Sequence, residues 1–265
     1  MVGHVEWVDF VRVARLPAPG EILHADETWS DAGGGGAVAA VELIRLGADP
    51  VDFFCALGDD ENARRTRARL GELGVRVHAV ARPRPQRRTV TLLDAAAERT
   101  ILVLGERLVP HGDDPLAWEE LAHADAVYFT GGDAAALRHA RAGATLVATG
   151  RAREAILPAR VRLDALVASA RDPSEDLAPH ELDPPPTLAL LTAGGDGGTW
   201  RHADGRTGRW AALPVPGEAQ DAYGCGDCFA SGLAVELAAG RDVEDALAGA
   251  ARAGAAALAR RGAYG

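Results

Sequence analysis

Short apolar runs that alternate with helix-like stretches, most of them stopped by glycine, narrow the folds open to this chain more than any other feature. Residues 51–57 form an apolar run ending in Gly58, Asp59 and Asp60, and an Arg-rich helical stretch over 63–73 follows, stopped by Gly74. In the second half the pattern predicts strands over 126–130, 144–148, 165–168 and 187–192, and helices over 134–142, 228–239 and 243–260. Apolar runs of this kind suit strands buried on both faces, and a parallel pair needs a crossover, usually a helix. The expectation is an α/β chain forming one domain over residues 1–265. Its architecture is a three-layer, doubly wound α/β/α sandwich. In such sheets ligands bind beyond the carboxyl ends of the strands, where the Gly-rich segments of this chain fall. Residues 1–13 read as one strand, broken by Pro17, Pro19 and Gly20, and residues 89–93 and 100–104 read as a hairpin.

Composition removes several chemistries. The 28 basic residues are all Arg, so there is no lysine for a Schiff base, for pyridoxal phosphate, or for a Walker A loop. Asn62 is the only Asn, and Lys, Asn, Ile and Met share AT-rich codons, so the absence is compositional rather than functional. A net charge of -10 argues against a nucleic-acid partner. No apolar stretch reaches the about 18 residues of a membrane span, and the N-terminus lacks a signal-peptide pattern. Three Cys, an odd number, fit a reducing cytoplasm better than a disulfide framework.

The segment Asp221-Ala222-Tyr223-Gly224-Cys225-Gly226-Asp227-Cys228 carries the strongest chemical signal. Two glycines flank one small residue and a helix follows at once, so successive N–H groups lack intrahelical partners and the helix dipole adds positive character. That makes an anion site without lysine. Asp227 beside it suits a base that takes a proton from an attacking hydroxyl; the plain alternative is a helix N-cap. Cys225 and Cys228 form a C-x-x-C pair at a helix start, which leaves a redox reading open. The remaining Cys55 and the scattered His supply no second pair for zinc. Gly33 to Gly36 does not read as a dinucleotide loop, because residues 26–31 make a poor buried strand.

The segment resembles the C-terminal signature of the PfkB (ribokinase-like) carbohydrate kinases, D-T-x-G-A-G-D-x-F, with Asp221, Gly224, Gly226, Asp227 and Phe229 matching and Ala222 and Cys225 replacing Thr and Ala. The resemblance extends along the chain. Gly3 to Asp9 is similar to the opening G-x₅-D, and residues 16–21 to L-P-x-P-G-E. Gly33-Gly34 with Arg45-Leu46-Gly47 is similar to the N-terminal signature, Gly58-Asp59-Asp60 to the G-x-D turn, and Thr192 to Gly197 to T-x-G-x-x-G. It implies a ribokinase-like fold with a small β lid, here built from parts of 10–31 and 82–104. It implies ATP and Mg²⁺, a sugar-like acceptor, and Asp227 as base with Gly224, Cys225 and Gly226 as the anion hole. Asp9, Gly33 and Gly34 then line the acceptor, and Thr192, Gly194 and Gly197 border the nucleotide. A homodimer through lid strands is also implied.

The match departs from the family in two places. Val38 stands where the family has an Asn that bonds the sugar, and Val has no side-chain donor or acceptor. The N-x-x-E element that organises water around Mg²⁺ is replaced by Ser169-Ala170-Arg171-Asp172, which leaves Asp172 as its shorter carboxylate. The resemblance also points to Asp221 as a contributor to a monovalent-cation site. Arg87, Arg88, Arg151 and Arg171 are the candidates to meet phosphate charge. The competing reading is a kinase fold that binds a ligand without phosphorylating it.

Overall fold

Residues 1–13, one strand by sequence pattern, divide between two sheets. Val2 makes parallel bridges to Phe54 and Phe129, Gly3 donates its N–H to the Phe54 carbonyl at 3.0 Å, and regular pairing in a second sheet begins at Glu6. Gly3 permits the first arrangement, since a Cβ there would lie 2.0 Å from Thr130 Oγ1.

The computed structural model describes residues 1–175 and 177–265. The first half runs β1 (Glu6–Arg12), β2 (Glu27–Gly33), α1 (Gly35–Arg45), β3 (Asp52–Leu57), α2 (Glu61–Glu72), β4 (Arg76–Ala81), β5 (Arg88–Leu93) and β6 (Arg99–Leu104). The second half adds β7 (Ala126–Phe129), α3 (Ala134–Ala140), β8 (Thr145–Thr149), α4 (Arg153–Ala159), β9 (Ala165–Ser169) and β10 (Leu188–Thr192). It ends with β11 (Gly198–His202), β12 (Thr207–Trp210), α5 (Cys225–Ala238) and α6 (Val243–Leu258).

Through Val2, the β3–β4 pair joins the six strands β12-β11-β10-β9-β8-β7 as one central sheet. Its interior pairs are parallel, and β11 and β12 close one edge as antiparallel strands. A separate four-stranded sheet has the order β2-β1-β5-β6. Of residues 26–31, a poor buried strand by composition, 27–31 lie in β2 all the same. They need little burial there, because β2 is an edge strand paired antiparallel to β1.

Period-two alternation sorts the central strands into two cores. Phe53, Cys55, Tyr128, Val147, Val167 and Leu190 pack with α1, α5 and α6 on one face. Phe54, Val127, Phe129, Leu146, Ala148 and Leu166 pack with α3 and α4 on the other. The result is the three-layer α/β/α sandwich. Helices α5 and α6 approach closely through small residues: a Cβ on Gly232 would sit 3.0 Å from Ala250 Cα.

Helix starts differ in a way that matters for the site. Asp60, Asp133 and Asp242 cap α2, α3 and α6 with their side chains. Helices α1 and α5 begin instead at Gly34 and Gly224, with no side-chain cap.

Candidate active site

The loop before α5 is pinned from within. Asp221 is fully buried; its Oδ1 accepts the Tyr223 N–H at 2.8 Å and its Oδ2 accepts the Gly262 N–H at 2.5 Å. Burial pushes its carboxyl up from the ordinary range, against those two bonds. Both oxygens named for a monovalent cation therefore already serve backbone N–H groups. Arg99 donates to the Ala222 carbonyl at 2.6 Å and ties the same loop to the small sheet.

Gly224 adopts φ +75, and a Cβ there would lie 2.6 Å from Val38 Cγ1. Only glycine combines that backbone with that proximity. The first α5 bond runs from Cys228 N–H to the Gly224 carbonyl at 2.9 Å, so the N–H groups of Cys225, Gly226 and Asp227 precede the first intrahelical donor. Asp227 lies in the first turn but does not cap the helix. Its carboxylate faces α1 instead: a Cβ on Gly35 would come within 2.8 Å of Oδ1. Tyr128 donates its hydroxyl to Oδ1 at 3.2 Å. Burial and the nearby Asp227 charge hold that phenol well above its ordinary pKa, so it stays a donor. Two uncapped helix starts thus converge on one carboxylate.

On one side of Asp227 lie the glycine pair and the residues that follow Val2. The Gly34 N–H donates to Tyr223 Oη at 2.8 Å. Glu6 and His4 lie against Gly34, where a Cβ would meet Glu6 Cγ at 3.1 Å and His4 Cδ2 at 3.3 Å. Arg87 Nε approaches Glu6 Oε1 at 2.9 Å. Arg107 Nη2 lies 2.7 Å from His4 Nδ1 and donates to the Thr130 carbonyl at 2.8 Å. Burial and the charges of Arg107, Arg87 and Arg151 hold His4 well below its ordinary pKa.

Asp9 is not among these residues. Along β1 the buried positions are Glu6, Val8 and Phe10, so Asp9 faces the other way. There it accepts from Ser30 Oγ at 2.6 Å and pairs with Arg88 at 2.7 Å. The strand changes sheets before Asp9, and its register turns Glu6 toward Gly34 and Asp9 away from it. Val38 is 2% exposed and packs under Gly224. It supports the anion loop from below and offers no open wall to a ligand.

On the other side, the ends of β8, β9 and β10 meet. Ala170 donates to the Thr192 carbonyl at 2.8 Å, and a Cβ on Gly194 would come within 2.8 Å of Arg171. Gly197 has φ +78 and no room for a Cβ, with the Trp210 carbonyl 2.0 Å away. Thr192, Gly194 and Gly197 therefore share one rim with the Asp172 loop. Arg171 itself pairs outward with Asp196 at 3.3 Å.

Asp172 does not fit a resident Mg²⁺ site. Its Oδ2 and Glu175 Oε1 both bind Arg151, at 3.2 and 2.8 Å, while Oδ1 accepts the N–H and hydroxyl of Ser174 at 3.0 and 2.7 Å. Burial raises the Asp172 pKa, but these hydrogen bonds and Arg151 outweigh it and the net direction is down. Among the described residues, no group of three His, Cys, Asp or Glu is placed to hold a metal ion. Glu175, which the sequence reading passed over, is the more buried carboxylate and accepts the Ser169 N–H at 2.9 Å.

The thiols argue against a redox site. Burial pushes Cys225 up to about 11 and Cys228 well above the ordinary thiol range. A redox cysteine needs the opposite shift.

The model of the pfkB family carbohydrate kinases matches residues 1–181 and 163–265, which together span the whole chain. The chain belongs to the pfkB carbohydrate kinase family. Solved structures of similar fold include the ribokinase of Giardia lamblia (19% identity, TM-score 0.82, covering 98% of this chain and 93% of that one). The ribokinase of Arabidopsis thaliana with ribose and ATP is also similar (20% identity, TM-score 0.74, 98% and 92%). So is the adenosine kinase of Sinorhizobium meliloti (17% identity, TM-score 0.79, 100% and 94%). No curated protein matches this chain in sequence. Tyr128, Glu6 and Arg107 lie near Asp227 or Gly34 and were not among the residues the sequence singled out. Glu6 alone left a signal, as an acidic residue three positions after Gly3 in an otherwise apolar run.

Proposed function

We propose that this chain is an ATP-dependent kinase that phosphorylates a hydroxyl of a sugar-like small molecule. The observation that carries this reading is the Asp227 carboxylate, held by Tyr128 against Gly35 where the uncapped starts of α1 and α5 converge. Asp227 takes the proton of the acceptor hydroxyl as its oxygen bonds the γ-phosphorus and the bond to the β-phosphate oxygen breaks, releasing ADP. The N–H groups at Gly224, Cys225 and Gly226 meet the charge on the transferring group. Tyr128 keeps Oδ1 in place, leaving Oδ2 for the acceptor.

The rim of Thr192, Gly194 and Gly197 suits the nucleotide. Because Asp172 and Glu175 are engaged by Arg151, a divalent ion arrives with ATP as part of the substrate. Asp221 has a structural role in this reading. The small sheet, with β1 and β2 leading directly into the glycine pair, serves as the lid over the acceptor and excludes water. The outer strand β6 exposes Leu102 and Val103 by 55% and 50%, an edge suited to pairing with a second copy. Three free thiols suit a cytoplasmic setting.

A coupled ADP-release assay over sugars, nucleosides and sugar acids tests this reading. Activity with at least one acceptor, lost in Asp227→Ala with ATP binding retained, is the expected result. The hold of Arg151 on both carboxylates favours the second reading, a ligand-binding protein that transfers nothing. Equal inactivity of wild type and variant on every acceptor would establish it.

A further inference from the structure

We propose that the acceptor carries an anionic group, a carboxylate or phosphate ester, which Arg87 and Arg107 bind beside Gly34; this rests on the kinase reading.

The sheet order brings Arg151 and Arg107 toward Asp227 from different strand ends, close enough for their charges to act on one another. Arg151 lies past the end of β8, on the side of β9 and β10 and the nucleotide rim. His4 and Glu6 follow Val2, on the opposite side of β7 and its Tyr128. Arg107 reaches the end of β7 through the Thr130 carbonyl. Gln86 fixes the approach of Arg87: it donates to the Val5 carbonyl at 2.8 Å and accepts the Gly58 N–H at 2.9 Å. The chain of contacts Asp227–Gly35–Gly34–Glu6 then places both guanidinium groups on the acceptor side of the base.

Arg87 and Arg107 share the charge of Glu6, and the base Asp227 is the other carboxylate whose charge reaches Arg107. His4 stays neutral through burial and adjacent guanidinium charge, so its Nδ1 accepts from Arg107 without adding charge. Burial also pushes the Glu6 carboxyl up, which weakens it as a counter-ion. Among the described residues, Arg107 has no carboxylate at ion-pair distance, and its Nε is buried without a hydrogen-bond partner. The ion pair from Arg87 Nε to Glu6 lacks hydrogen-bond geometry. A half-buried guanidinium whose buried Nε has no partner is costly unless a ligand supplies one. That this occurs within a chain of net charge -10 sets the pocket apart from its surroundings. Carboxylate and phosphate both match the donor fork of Arg. A neutral polyol would leave these donors unmatched, which is how a polar site rejects the lesser ligand.

The test uses the full chain and three probes, D-gluconate, D-ribose 5-phosphate and D-ribose. Binding is measured by titration calorimetry and transfer by ADP release. At least one anion should bind and react about 100-fold better than ribose, and which of the two does so distinguishes carboxylate from phosphate. Arg107→Gln should remove about 100-fold of the anion binding and lower the anion-over-ribose ratio, with a melting curve to verify folding and Arg87→Gln as the second variant. Ribose binding as tightly as both anions overturns the proposal, as does unchanged anion binding in both variants. If ribose is phosphorylated and neither anion is preferred, the kinase reading stands and the anion subsite falls. If an anion binds through Arg107 and no acceptor yields ADP, the subsite stands and the kinase reading falls.

Discussion

Replacing Gly224 with Ala tests the geometry of the anion loop most directly. The new methyl group would lie 2.6 Å from Val38 Cγ1, well inside contact distance. Val38 is 2% exposed on α1, so it has little freedom to retreat. The residue must also hold φ +75, which costs a non-glycine residue about 1–2 kcal/mol. Overpacking a filled core adds about 1–3 kcal/mol. The sum, about 2–5 kcal/mol, lowers the melting temperature by about 5–15 °C for a chain of this size. Val38→Ala alone leaves a small cavity and costs about 2 kcal/mol. In the double variant the clash is gone and the backbone strain remains. The two substitutions should therefore couple favourably by about 1–3 kcal/mol in a double-mutant cycle read by denaturant unfolding. The same cycle read in ADP release separates loop geometry from stability. Val38→Ala should keep turnover, and Gly224→Ala should lose at least about tenfold, because a shifted loop moves the N–H groups off the phosphate. A Gly224→Ala protein within about 0.5 kcal/mol of wild type, or additive effects in the double variant, would refute the reasoning.

Two further outcomes follow from other parts of the molecule. His4 is neutral in the fold, while the unfolded imidazole takes a proton near pH 6.5, so the unfolded state binds more protons below that point and stability is lost as pH falls through it. By pH 5.5 the loss is about 1.4 kcal/mol; His4→Gln should flatten the stability profile between pH 7.5 and 5.5, and an unchanged slope would remove His4 as its source. Glu6 and Glu175, whose carboxyls are pushed up, act with the opposite sign from about pH 4.5 upward, and comparing variant with wild type isolates the histidine. Leu102→Glu on the exposed β6 edge should shift a dimer toward monomer in light scattering without moving the melting temperature of the monomer, whereas an unaltered mass would reject pairing through β6.

The legible parts of the site were those whose chemistry depends on local backbone. Gly224, Gly226 and Asp227 announce an anion site because a helix start exposes N–H groups whatever surrounds it. Thr192, Gly194 and Gly197 enter only through the resemblance of their segment to T-x-G-x-x-G. The residues that escaped depend on facing rather than on spacing. Asp9 looked suitable by its distance from Gly3, yet the sheet change before it turned Glu6 inward and Asp9 outward. Asp172 looked like a metal-linked carboxylate, and Arg151 from the neighbouring strand end claims it. Tyr128 reads as one more apolar strand residue until α5 brings Asp227 within 3.2 Å.

The sequence by itself determined the layer architecture, the family, and the exclusion of every mechanism that needs a lysine. Alternation and glycine placement act through short-range sterics, and a missing residue type is missing everywhere. Tertiary structure alone decided which arginines serve the site. Twenty-eight Arg are chemically alike along the chain; sheet order and the reach of neighbouring strand ends bring Arg87, Arg107 and Arg151 near Glu6 and Asp227. Charge acts through space over a few ångströms, and only the fold sets those distances.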